Sequence, residues 1–186
     1  MTDTFQLPDI PDLSGISEPT SQPFENGWYE GTILEKREFI DNNGNERVFE
    51  SSDTPSAKGD SRNIRLQVTL KRQSDGRTLN TSALINYVPE DLTQAKVQAV
   101  AAQREKVKEG GEWGDLFRTF MTLTRLATLQ KIAGVRQLQK NGNGGLDLHP
   151  IFGKTAYFKL KDDDRNPQYK AVDRFQETKP VKAQIL

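Results

Sequence analysis

The feature that most constrains this chain is an alternation. From Asn63 to Lys71, apolar and polar side chains change places at every position: Ile64, Leu66, Val68 and Leu70 against Asn63, Arg65, Gln67, Thr69 and Lys71. Period two held over nine residues is the pattern of a half-buried β-strand, with one face for a core and one for solvent. The solvent face is basic and free of carboxylates. Ser74-Asp75-Gly76 supplies a turn, because glycine accepts the positive φ of a tight reversal. Arg77–Val88 then runs back, rich in Thr, Leu, Ile, Tyr and Val. The rest of the chain reads as closing a small barrel around this hairpin.

Composition sets the scale of that barrel. At 186 residues, with 34% hydrophobic and 28% charged, the chain suits one domain with a thin core, long loops and tails. No stretch approaches the roughly 18–20 apolar residues of a membrane span. The N-terminus is acidic and Pro-rich, unlike a secretory signal. With no cysteine there is no disulfide framework and no thiolate metal site. A cytoplasmic location is expected, in the host cell if the protein is viral.

Charge is unevenly spread. Residues 1–30 hold six acids and no Lys or Arg, which leaves 26 basic against 20 acidic residues in 31–186. An acidic arm on a basic body points to a polyanionic partner, with the arm competing for the same basic surface. An arm that is acidic only for solubility is the alternative.

Met1–Pro23, broken by four prolines, reads as a disordered acidic arm. The domain is expected over residues 24–175, with 176–186 as a tail. Trp28–Ile40 reads as a first strand, with Gly31 where a barrel strand bends. Asp41–Asn45 is a turn, Arg47–Phe49 a short return strand, and Ser51–Ser61 a polar loop. After the central hairpin, Pro89 ends strand pairing. A helical insertion follows over about residues 90–135. Leu92–Glu109 is expected as an exposed helix capped by Thr93. Asp115–Ala133 is a second helix with a wide apolar face, ended by Gly134. Lys140–Gly145 reads as a flexible loop. Thr155–Lys161 alternates again, and Gln168–Phe175 is the last strand. The fold class is therefore mainly β with a helical insertion, α+β. A five-stranded OB-like Greek-key barrel with two helices between strands 3 and 4 fits this order. An antiparallel sheet packed by helices is the other arrangement left open.

Three stretches bear a likeness to a known family. Phe24-Glu-Asn-Gly-Trp-Tyr-Glu-Gly-Thr-Ile resembles the Gly–aromatic entry of phage-type single-stranded-DNA-binding proteins. Gly153-Lys154-Thr-Ala-Tyr-Phe-Lys-Leu-Lys, an acidic turn and Tyr169-Lys-Ala-Val are similar to their closing hairpin. The helix Phe117–Ile132 fits between the two halves. The resemblance covers about residues 24–175 and implies an OB-fold. Many of these proteins recruit partners through an acidic C-terminal tip. This chain ends Lys182-Ala-Gln-Ile-Leu186 and carries its acidic segment at the other end, so recruitment through the tail is not expected.

Binding a single strand needs cations for phosphates and aromatic faces for bases. The candidate cations are Arg65, Lys71, Arg72 and Arg77 on or beside the hairpin, and Lys159, Lys161 and Lys170 on the closing strands. The candidate stackers are Trp28, Tyr87, Tyr157 and Tyr169. Each aromatic taken alone reads first as a core filler, because small barrels need bulky side chains. Tyr157 stands apart, because it alternates with Lys159 and Lys161 on a polar face.

Other chemistries fit poorly. Gly153-Lys154-Thr155 lacks the preceding Gly of a phosphate loop, since Leu148 holds that position, and a strand follows it. Asp162-Asp163-Asp164-Arg165-Asn166 has calcium-loop spacing, but Pro167 replaces the glycine of the sharp turn. One histidine, His149, and no cysteine give catalysis little to work with. No enzyme activity, metal or cofactor is expected. Single-stranded DNA is the expected partner, bound without sequence specificity in phage replication or recombination. Proteins of those systems are further expected partners, and a homo-oligomer is left open. The alternative is a virion accessory or other structural protein that packs through its helical segment.

Overall fold

A computed structural model describes residues 23–41, 43–167, 169–181 and 185–186. The expected acidic arm lies outside the described residues, apart from Pro23. The strands are β1 (Gly27–Leu34), β2 (Lys36–Ile40), β3 (Glu46–Glu50), β4 (Ser52–Pro55), β5 (Arg62–Lys71), β6 (Thr78–Tyr87), β7 (Thr155–Asp162) and β8 (Lys170–Gln176). Two α-helices, α1 (Gln94–Lys108) and α2 (Leu116–Ala133), fall between β6 and β7 in the chain. The mainly β, α+β class expected from the sequence is what the chain forms.

β5 is the hub. One edge pairs with β6 along its whole length, from Arg62↔Tyr87 to Lys71↔Thr78. The other edge is shared: β1 takes Gln67–Lys71 and β4 takes Arg62–Arg65. Both are antiparallel to β5, so β1 and β4 lie in one line. Residues 35–51 are inserted between them. The inserted β2 and β3 pair only with each other, from Lys36↔Glu50 to Ile40↔Glu46. Ser51 staples the root of this ribbon. Its hydroxyl donates to the Leu34 carbonyl (2.6 Å) and accepts the Gln67 N–H (2.8 Å) where β5 passes from β1 to β4. On the far side, β1 pairs with β7, and β7 with β8. β6 and β8 approach one another with no ladder between them among the described residues.

The inward faces follow the alternation. Ile64, Leu66, Val68 and Leu70 are fully buried, as are Ala156, Phe158 and Leu160 of β7. Each large aliphatic side chain buried this way contributes about 1.5–3 kcal/mol. Gly31 serves close approach: a Cβ there would meet Leu70 at 2.5 Å and Phe158 at 2.9 Å. α2 adds Leu126, Leu129, Ile132 and Ala133 to the same core, and Gly134 ends it at φ 71. α1 is capped by Thr93, whose hydroxyl accepts the Lys96 N–H, and it buries only Val100. No helix among the described residues is long and apolar enough to cross a membrane.

Four expectations need correction. The first strand breaks at Glu35, because the chain leaves the sheet there. Ser52–Pro55, expected within a loop, is paired to β5. Lys140–Gly145 is a closed turn: the Asn141 side chain accepts the N–H groups of Asn143 and Gly145, and Lys140 bridges Leu146. The expected tail returns at its last residues. Ile185 bridges Trp28, the Leu186 N–H donates to the Trp28 carbonyl, and the Leu186 carbonyl accepts from Gln73.

The turn at 140–146 is tied to a buried charge. Asp53, with no side-chain exposure, accepts from Arg62 Nε (2.8 Å), the Tyr87 hydroxyl (2.6 Å) and the Leu146 N–H (2.7 Å). Gly145 passes so close that a Cβ would lie 2.5 Å from the Arg62 guanidinium.

Candidate nucleic-acid interface

Residues paired across an antiparallel ladder share a face. One rung of the outer face therefore crosses five strands as Thr78–Lys71–Glu30–Tyr157–Gln176. The next rung reads Trp28–Lys159–Arg174. Neighbouring strands lie about 4.8 Å apart, so Lys71 and Tyr157 are about 10 Å apart across β1. The two rungs gather two aromatic rings and three cations around one carboxylate. Tyr157 is half-buried and its hydroxyl donates to Glu30 Oε2 at 3.4 Å. Lys71 is exposed at the end of β5. Arg174 Nε lies 3.2 Å from Asp173, its neighbour in the chain.

The predicted residues divide into three groups. Lys71, Tyr157 and Lys159 come together on these rungs. Lys161 is on the same face but its ammonium is 2.7 Å from Asp164. Arg65, six residues along β5 from Lys71, is about 20 Å away. Between them the face is closed, since Gln67 is 1% exposed. Arg65 keeps instead the company of exposed Leu84, its partner on β6.

Two predicted residues are turned inward. Arg72 is 8% exposed; its guanidinium grips both Asp75 oxygens (2.9 and 2.5 Å), reaches the Pro23 carbonyl and lies 5.0 Å from the Phe24 ring centre. That grip holds the Asp75 carboxyl down to about 2. Tyr87 is 3% exposed, and its phenol is held well above its ordinary value by burial and then by its hydrogen bond to Asp53. Both act in the structure of the body, because each is matched to a carboxylate inside it.

The remaining predicted residues sit at the two turns. Arg77 lies 3.6 Å from Asp75. Tyr169 is exposed in the turn before β8. Lys170 joins Asp162 (2.5 Å) and Asn26 (2.8 Å), so it ties that turn to the start of β1.

Sequence reasoning missed Arg174, because the register shift between Lys159 and Leu160 hides which β8 residue faces outward. It found the turn and return strand of the ribbon but missed the face they form. Arg37↔Phe49 and Phe39↔Arg47 are ladder pairs, so all four side chains share one ribbon face. The two rings stack at 5.2 Å and 23°, and the Arg37 guanidinium lies 5.6 and 5.2 Å from their centres. The signal available was Arg-x-Phe before the Asp41–Asn45 turn and Arg-x-Phe after it. Among the described residues, no group of three or more His, Asp or Glu side chains is placed to hold a metal ion. Compared with family models, with curated proteins and with solved structures, the chain matches none.

Proposed function

We propose that the protein binds single-stranded DNA, without sequence specificity, in phage DNA replication or recombination. The observation that carries this reading is the pair of outer rungs, where Trp28 and Tyr157 lie among Lys71, Lys159 and Arg174. Aromatic faces accept any base, and cations accept any phosphate, so such a surface is tolerant of sequence. Glu30 is the only acid on the two rungs, and it lies between Lys71 and Tyr157. The reading takes the fold as an OB-like five-stranded barrel. Counting β1 and β4 as one strand, the ladder order and the helices between β6 and β7 support it.

The test is a titration of labelled single-stranded and duplex oligonucleotides at two salt concentrations. Single strands are expected to bind tighter, with log K falling by about 0.7 per log salt for each phosphate neutralised. Tyr157→Ala is expected to weaken binding by about 1–3 kcal/mol while the protein unfolds at its usual temperature. Absence of single-strand binding in low-salt buffer would overturn the proposal. A second reading, a structural protein that packs through its helices, draws support from Phe117 and Met121. Both are exposed on α2, at 53% and 36%. A protein that ignores DNA but self-associates, and loses that on Phe117→Ser, fits this second reading.

A further inference from the structure

The β2–β3 ribbon has two unlike faces. One carries Arg37, Phe39, Arg47 and Phe49; the other carries Lys36, Glu38, Ile40, Glu46, Val48 and Glu50. The first has two cations, two aromatic rings and no acid of its own. Asp41, at the turn, reaches round to Arg47 Nε at 2.9 Å. The second has three acids and one lysine, which is itself paired to Glu38 at 2.6 Å. A polyanion approaching the ribbon is therefore attracted to one side and repelled from the other.

The attractive face is built rather than incidental. Phe39 and Phe49 are 38% and 39% exposed, so their stacked pair is not consumed by the core. Arg37 forms no ion pair among the described residues, and its Nε is buried with no hydrogen-bond partner. A cation left without a carboxylate and laid across two rings keeps its charge available to a ligand. Five residues per strand give the ribbon a reach of about 17 Å from its root at Ser51. Its stem continues β1, the strand that carries Trp28 and Glu30.

We infer that the Arg37–Phe39–Arg47–Phe49 face of the ribbon is a second contact surface for the single strand, stacking bases on the phenylalanine pair and drawing phosphates to the arginines. This rests on the single-strand reading of the sheet face. An unstacked base is required, so the ribbon also favours single strands over duplex. Because the opposite face is acidic, the strand contacts one side of the ribbon only.

The experiment compares a labelled oligo-dT with wild type, Phe39→Ala/Phe49→Ala, Arg37→Gln/Arg47→Gln and Tyr157→Ala. The phenylalanine pair is expected to lose about 5- to 100-fold in affinity with an unchanged salt slope. The arginine pair is expected to flatten that slope by about 0.7 for each phosphate that is no longer neutralised. Phe39→Leu/Phe49→Leu keeps the ribbon apolar while removing the aromatic faces, and is expected to lose affinity as well. Thermal unfolding of each variant reports whether the fold is intact. If the wild type binds, Tyr157→Ala weakens it and all three ribbon variants bind as wild type, the ribbon inference fails and the sheet reading stands. If the wild type binds no single strand, both fail together.

Discussion

The interior of the body and the aromatic face of the ribbon are both built on antiparallel β-structure, yet the two place an arginine in opposite ways. Inside the body, charges meet partners. Asp53 is closed in by Arg62, Tyr87 and the Leu146 N–H, and Arg72 is closed in by Asp75. On the ribbon, Arg37 lies across two rings with no carboxylate among the described residues. The difference teaches how to sort the basic residues of a polar chain. A cation matched inside the fold stabilises it, while a cation left over on an aromatic face is available to a ligand.

The sharpest way to break this contrast is Asp53→Ala. It leaves Arg62, whose side chain is 11% exposed, without its partner, and it frees Tyr87 and the turn at 140–146. Removing one member of a buried pair costs about 3–5 kcal/mol. Urea unfolding is expected to report a loss of that size. A loss below about 1 kcal/mol means that the matched charges of the body are not what holds it.

A smaller effect is expected at Gly31, where the sheet is closed rather than charged. Gly31→Ala forces a methyl group against Leu70 and Phe158. Overpacking of this kind costs about 1–3 kcal/mol, again read from urea unfolding. An unchanged midpoint would show that these neighbours yield freely.

The smallest effect is a pH dependence. Asp75 falls from an ordinary 3.8 to about 2 in the folded protein, chiefly through its hydrogen bond to Arg72. A depressed carboxyl adds stability above its unfolded value and loses it as pH falls through the folded one. The Arg72–Asp75 contribution is therefore present above about pH 4 and disappears by about pH 2. Asp75→Asn is expected to flatten the unfolding midpoint across that window. A variant with the same acid sensitivity as wild type would remove Asp75 from the account.

Much of the fold was legible because period and caps are local. Asn63–Lys71 and Thr155–Lys161 declared their faces by alternation. Thr93 and Gly134 marked helix ends that the structure places within a residue or two. Partners are not local, and there the reading gave out. Nothing around Arg72 distinguishes it from Lys71, yet one turns in to Asp75 and the other stays outside. Tyr87 sits 34 residues from the Asp53 that holds it. Ser52–Pro55 is polar, so its pairing depends on β5 presenting a free edge rather than on its own pattern. Of the predicted site residues, Lys71, Tyr157 and Lys159 came together because two ladders through β1 align them. Arg65 did not, because Gln67 closes the face between.

The insertion of the ribbon into a single strand line has a consequence for how its length can vary. β1 and β4 are held in register by β5 and by Ser51, independently of what lies between Glu35 and Ser51. The body therefore tolerates a longer or shorter ribbon. Its faces do not tolerate every length. Side chains alternate with period two, so one residue added to each arm at the root turns the Arg–Phe side to where the acidic side had been, whereas two added to each arm restore it. Parity, more than sequence identity, is what a descendant or a redesigned version of this protein has to preserve.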